Sequence, residues 1–308
     1  MLNATFGCSW LAYSRALAAV AALGLVVPLL STAGCSRASD DTVKLTGSDT
    51  MVNLAQAWAE AFQADHPDIS LQVKGGGSGI GIAALCSGKI QIATSSRAMK
   101  PKEIDVAVQN TGKTPKEFIV GRDALAIYVH KDNPLETITL AELAEIYGED
   151  GKFVTWKDLG VDNPSCSGGE IVRISRQNSS GTYAYFKEAV LGEKREYKQG
   201  SMSQSGSSDI VELVSHTPCA IGYSGMGYKK EGVKVVKVAK EKGEAGIEPN
   251  LETALNNTYP ISRPLYIYTL GEPTGAVQEF IQWVLSPAGQ KIVEQEGYVS
   301  VTHQPSGA

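Results

Sequence analysis

Apolar positions along this chain alternate between short continuous runs and helical spacing, the respective marks of buried strands and of helices with one apolar face. Runs at 43–46, 69–73, 90–94, 124–130, 171–175, 220–224, 233–238 and 265–269 predict strands. Between them, Leu54, Trp58 and Phe62 recur every four residues, which predicts a helix with one buried face. Further helices are expected at about 78–86, at 101–109 with Pro101 in its favoured first turn, and at 140–147, 182–191, 208–215, 275–285 and 287–296. Strands separated by helices imply an α/β fold with parallel pairing. The length exceeds a comfortable single sheet, so two lobes with a cleft are expected, with 124–130 and 265–269 as candidate crossing strands. Periodicity alone leaves open one wide sheet with these two as central strands.

The first residues follow a different pattern. Residues 16–30 are almost wholly apolar, preceded by Arg15 and followed by Ser31-Thr32-Ala33-Gly34-Cys35. A short apolar core with a basic flank and a small-residue ending predicts a secretory signal over 1–34. It is too short for a membrane span and is broken by Pro28. Ala33-Gly34-Cys35 resembles a bacterial lipobox, which would make Cys35 a lipid-modified first residue on a short polar tether, 35–42. Thr32 stands where such boxes usually carry Leu, and the alternative is an ordinary secretory signal with an incidental cysteine.

Of the 28 basic residues only Arg15 precedes Cys35, so 27 remain beside 33 acidic ones. That excess of acid argues against nucleic acid as a partner but not against a small anion held by a few aimed dipoles. Cys86, Cys166 and Cys219 remain after Cys8 and Cys35. Cys86 sits among apolar residues and is expected to be buried. Cys166 and Cys219 each precede a predicted strand, so a disulfide between them is expected, with two free thiols as the alternative. Neither cysteine nor histidine spacing carries a metal signature, and no metal or cofactor is expected.

Four segments place hydroxyl or glycine residues between a strand and a helix: Thr46-Gly47-Ser48-Asp49-Thr50-Met51, Gly75-Gly76-Gly77-Ser78-Gly79, Thr94-Ser95-Ser96-Arg97 and Arg176-Gln177-Asn178-Ser179-Ser180-Gly181-Thr182. Free N–H groups and the positive end of the helix dipole make such turns anion sites. One alone is most simply a helix cap. Four together, two with an arginine, point to a tetrahedral oxyanion beyond the carboxyl ends of the strands. The glycines complete neither a dinucleotide fingerprint nor a P-loop, and no nucleophile elbow is present.

These segments, with Ala220-Ile221-Gly222-Tyr223 and Ser286-Pro287-Ala288-Gly289-Gln290, resemble in order the phosphate-binding components of bacterial phosphate ABC transporters, in their shorter branch. The resemblance runs from about Lys44 to Val301. It implies an α/β, two-lobed periplasmic-binding-protein fold of type II character, with lobe 1 formed by 43–126 plus 267–308, lobe 2 by 127–266, and the ligand cleft between them. It further implies binding without catalysis: a monomer in the cell envelope, holding inorganic phosphate for a membrane permease and held to the membrane by its lipid.

The residues expected at the ligand are Ser48, Asp49, Thr50, Met51, Ser78, Gly79, Ser96, Arg97, Arg176, Ser180, Gly181 and Thr182. Thr50 and Met51 would donate backbone N–H groups, and Arg176 would face the anion. Well-known members carry an aspartate where Ser96 stands, and it accepts the proton that phosphate keeps and sulfate lacks. Asp49 is the candidate replacement, with a simple helix cap as its alternative. Another oxyanion such as sulfate or molybdate, and less readily an envelope phosphatase, are the competing functions.

Overall fold

The computed structural model describes residues 41–302. The expected signal segment, the expected lipid site at Cys35, tether residues 35–40 and residues 303–308 lie outside them.

Lobe-sized halves are built from one alternating chain. In order it forms β1 (Asp41–Gly47), α1 (Val52–Asp65), β2 (Ile69–Lys74), α2 (Ser78–Cys86), β3 (Ile92–Ser95), α3 (Pro101–Thr111) and β4 (Pro115–His130). Then come β5 (Thr137–Thr139), α4 (Leu140–Tyr147), β6 (Val172–Arg176), α5 (Gly181–Phe186), β7 (Met202–Gln204), α6 (Ser207–Ser215), β8 (Ala220–Gly225) and β9 (Val233–Ala239). The chain closes with α7 (Leu251–Leu255), β10 (Ser262–Leu270), α8 (Gly275–Leu285) and α9 (Pro287–Gln295).

The strands lie in the order β2-β1-β3-β10-β4-β8-β6-β7, with β9 joining β4 to β5. Parallel pairs are β1 with β2 and β3, β6 with β7 and β8, and β5 with β9. β4 belongs to both halves. Its residues 115–124 pair antiparallel with β10, and Leu125 onward pairs with β8 and β9. From Ala124 to Val129 every residue is buried. Leu125, Ile127 and Val129 face a core with Ile138, Trp156, Phe186 and Tyr223, while Ala126 and Tyr128 face Ile210 and Val214 of α6. Cover on both faces is why this stretch is a continuous apolar run.

In the other half, Leu54, Trp58 and Phe62 of α1 are fully buried against Ile267, Phe280 and Val284. The Trp58 Nε1–H donates to Gly289 O at 2.8 Å. Each such side chain contributes about 1.5–3 kcal/mol by leaving water.

Several expectations are corrected. β4 starts at Pro115, nine residues before the run at 124–130, and β5, β7 and α7 were not expected. Asp41 and Thr42, expected in the tether, lie in β1. The expected helix 182–191 is a short α5 followed by a π-helical turn, Lys187–Leu191. β10 is bonded along its length to β3 and to residues 115–124 of β4. Residues 262–266 pair with residues 119–124 of β4, and the carbonyl of Ile261 accepts from Leu125 N–H. Cys166 and Cys219 form a disulfide with Cα atoms 4.8 Å apart, and Cys86 is a buried free thiol. Among the described residues no helix is long and apolar enough to cross a membrane, and no group of three His, Cys, Asp or Glu could hold a metal ion.

Candidate functional site

β1, β2, β3 and β6 all end at one place, and the turns that follow them meet there. After β1, Asp49–Met51 form a tight turn leading into α1. After β2, Gly77 takes φ +105°, a conformation glycine adopts without strain, and lets Ser78 start α2. A Cβ on Gly77 would also stand 2.6 Å from Ser179 O, so the turns after β2 and β6 approach backbone to backbone. Gly79 N–H donates to Ser179 O at 2.9 Å. Gly181, first in α5, lies against Ser78 and Ser96. A Cβ there would fall 2.3 Å from Ser78 Oγ and 2.6 Å from Ser96 Oγ.

The hydroxyls form a buried cluster. Thr50 Oγ1 and Thr182 Oγ1 are 2.8 Å apart. Ser78 Oγ accepts from Ser96 N–H at 3.1 Å and lies 3.4 Å from Ser96 Oγ. Ser180 Oγ caps α5 by accepting from the N–H groups of Thr182 and Tyr183. Thr50, Ser78, Ser96, Ser180 and Thr182 are each at most 2% exposed. Ser48 is buried beside them, and its Oγ has no hydrogen-bonding partner.

Two arginines enter this cluster, each matched by a carboxylate. Arg176 donates to Ser207 Oγ (2.8 Å), Ser205 O (2.7 Å) and Asp49 Oδ2 (3.0 Å), while its buried Nε–H has no partner. Burial pulls the Arg176 pKa down, against the upward pull of Asp49. The other oxygen of Asp49 accepts Gly76 N–H at 2.7 Å. Asp49 makes no cap to α1, and both its oxygens are engaged. It joins the turns after β1, β2 and β6, which is not the helix cap that was its alternative role.

Arg263, absent from the expected set, is the second. It lies directly opposite Asp123 in the β10–β4 register. Its Nε and one terminal nitrogen donate to Asp123 Oδ2 at 3.1 and 2.8 Å. The same terminal nitrogen reaches Thr182 Oγ1 (3.0 Å) and Thr50 Oγ1 (3.3 Å), and the other donates to Ser96 O (3.2 Å). Arg263 is 1% exposed and Asp123 not at all. Burial pushes the Asp123 carboxyl up, against the pull of Arg263. Tyr228 and Tyr298 brace the floor, donating to Asp49 O and Thr50 O at 2.6 Å each.

Two expected residues stand apart. Arg97 is held by Glu103 through paired bonds of 2.9 and 2.7 Å and lines a groove of about 730 Å³ with Asn178, Tyr183, Tyr185 and Tyr266. Met51 packs in the core of α1, and its N–H closes a turn on Ser48 O at 3.1 Å. Ser205 lies in a serine-rich stretch without periodicity, and Ser207 opens α6 directly after it. Asp123 and Arg263 border apolar runs, which was their only signal.

Chemically, the cluster offers neutral donors and two compensated guanidinium groups. None of the hydroxyls of Thr50, Ser78, Ser96, Ser180 and Thr182 is bonded to a histidine or a carboxylate, so no activated nucleophile is formed. The unpartnered buried donors Ser48 Oγ and Arg176 Nε fit an acceptor-rich guest.

The family model for the PBP superfamily domain matches residues 34–288. A relative from Pseudomonas aeruginosa (strain PAO1), named phosphate-binding protein PstS, is 38% identical over 264 residues, covering 82% of this chain and 81% of the relative. The Bacillus subtilis (strain 168) protein of the same name is 32% identical over 263 residues, covering 85% and 81%. Among solved structures, a putative phosphate ABC transporter substrate-binding protein with bound phosphate from Clostridium perfringens superposes with a TM-score of 0.74 at 32% identity, covering 84% of this chain and 99% of that one.

Proposed function

From a chain that belongs to the PBP superfamily, and within it to the PstS phosphate-binding family, we infer a protein that binds inorganic phosphate and delivers it to the permease of an ABC transporter. The observation that carries this reading is the buried meeting of Thr50, Ser78, Ser96, Ser180 and Thr182 with Arg176 and Arg263, two of whose neighbouring donors lack partners. The family is a substrate-binding class, and the proposed action is capture without catalysis.

In this reading the hydroxyls, the N–H groups at the starts of α2 and α5, and the guanidinium groups replace the hydration shell of the anion. Hydrogen bonds to a charged group are worth about 1.5–3 kcal/mol each. Several of them, offset by desolvation and closure, reach about −8 kcal/mol, a micromolar affinity, or better. Closure is the step that joins Thr50 to Thr182, Asp49 to Arg176 and Gly79 to Ser179 across the cleft. The lobe limits we propose follow the pairing switch in β4, with lobe 1 ending at about Ala124 and resuming at Ser262.

We further propose export through the segment 1–34, a lipid on Cys35 and a monomeric state. Membrane fractionation of Cys35→Ala checks the anchor, which requires release of the variant into the soluble fraction. Light scattering on the purified protein checks the monomer. For the function itself, calorimetry against phosphate, sulfate and molybdate is the test. Sulfate binding as tightly as phosphate would sink the reading, and turnover of a chromogenic phosphate ester would place the protein among enzymes.

A further inference from the structure

We infer that Asp123 sets the anion selectivity of this site through Arg263, by cancelling the guanidinium charge so that the cluster stays neutral and favours an oxyanion that keeps a proton over one carrying two full charges. The inference rests on the phosphate reading and supplies what Ser96, which is no carboxylate, does not.

The charge count in the cluster is complete. Arg176 is matched by Asp49 and Arg263 by Asp123. Arg97, in the adjoining groove, is held by Glu103. The phenols around Asp123 are those of Tyr128, Tyr185, Tyr228, Tyr259 and Tyr298, and burial raises the pKa of each, so all remain neutral donors. What surrounds the Thr50 and Thr182 hydroxyls is therefore a set of dipoles without net charge.

The cost of taking an ion out of water grows with the square of its charge. A neutral cluster repays a singly charged, protonated phosphate with hydrogen bonds. For sulfate, which is doubly charged and has no proton, the larger desolvation cost meets no net positive charge. One uncompensated cation at this depth would reverse the balance, because Coulomb attraction in a buried site is weakly screened. Asp123 is the group that prevents this. It is fully buried, bonded twice to Arg263, and further fixed by Met226 N–H at 3.2 Å. Its partner touches both Thr50 and Thr182, so the charge is compensated where the two halves meet.

The test is charge balance, with calorimetry of phosphate and sulfate at mildly acidic pH. Asp123→Asn leaves the cluster one positive charge in excess, and sulfate should gain about tenfold relative to phosphate. Arg263→Gln leaves it one negative charge in excess, and sulfate should lose ground relative to phosphate. The double variant is neutral again. Both anions should bind it more weakly, with their ratio back near that of the unaltered protein, which a role confined to packing would not produce. Ratios that move in the same direction in the two single variants, or stay fixed in folded protein, overturn the inference. If Asp123→Asn fails to fold, Arg263→Gln and the double variant still decide, since only charge predicts a lost and then restored ratio. Failure of the unaltered protein to bind phosphate would instead remove the functional reading itself, and this inference with it.

Discussion

Replacing Asp49 by asparagine separates two roles that look alike in the sequence. The carboxylate accepts from Arg176 through one oxygen (3.0 Å) and from Gly76 N–H through the other (2.7 Å). Asparagine offers one acceptor and one donor, so whichever way it turns, its NH2 faces a donor. An unmet buried donor costs about 1–3 kcal/mol. Breaking a buried ion pair outright costs about 3–5 kcal/mol, but Asp49 keeps 13% of its side-chain exposure, which screens part of this. Arg176 also retains Ser207 Oγ and Ser205 O.

We therefore expect a loss of about 2–3 kcal/mol. Because the bond joins the turn after β1 to the turn after β6, the loss should fall on closure around the ligand, weakening the phosphate Kd about 30- to 160-fold. Both anions should weaken through the lost closure, and the Arg176 charge left without its carboxylate should at the same time favour sulfate over phosphate, by no more than in Asp123→Asn. Calorimetry with both anions, beside thermal unfolding of the ligand-free protein, reads this directly. A fall of the phosphate-to-sulfate ratio well beyond that of Asp123→Asn would mean that Asp49 also senses the ligand proton. An unchanged Kd would remove it from closure.

Three further outcomes follow from the geometry. Gly181→Ala puts a methyl 2.3 Å from Ser78 Oγ and should weaken phosphate at least about tenfold with little change in ligand-free melting temperature; equal affinity by calorimetry would contradict the close approach. Cys166 and Cys219 are 53 residues apart, so replacing both with serine should cost up to about 4 kcal/mol in denaturant unfolding while leaving phosphate affinity intact. At Glu103, burial opposes the charge, but hydrogen bonds from Arg97 and Lys100 and their charges outweigh it and lower its pKa. A lowered carboxyl pKa stabilises the fold above the unfolded value and loses that contribution as pH falls through the folded value, so Glu103→Gln should cost up to about 1 kcal/mol at neutral pH and little in acid below that lowered value; a cost independent of pH in urea melts would show that the ion pair is not its source.

The elements most legible in the sequence are those whose burial is one-sided or complete. α1 shows through Leu54, Trp58 and Phe62, and the later part of β4 through a run buried on both faces. The earlier part of β4 was hidden because it is neither. Lys116, Glu117 and Ile119 are exposed while Val120 and Gly121 are buried, so no period stands out until β10 pairs with it. β7 and β5 have three residues each, too few for alternation to declare itself, and their pairing partners lie far along the chain.

The same effect explains which half of the site was legible. Turn residues declare themselves locally, because a hydroxyl or glycine between strand and helix has a backbone reason to be there. Asp123 and Arg263 have no local reason. Each stands at the border of an apolar run, 124–130 and 265–269, and a charge at such a border reads as the point where burial ends. In the folded chain β4 and β10 continue past both, and the register sets the two opposite each other across 140 residues of sequence. Neither could be buried alone, since an unpaired charge at zero exposure costs several kcal/mol. Each is admitted only by the other, so the signal exists in the pair and in neither residue. What a charge at the end of an apolar strand offers is a question of register, and an opposite charge at the end of a second such strand is the observation that raises it.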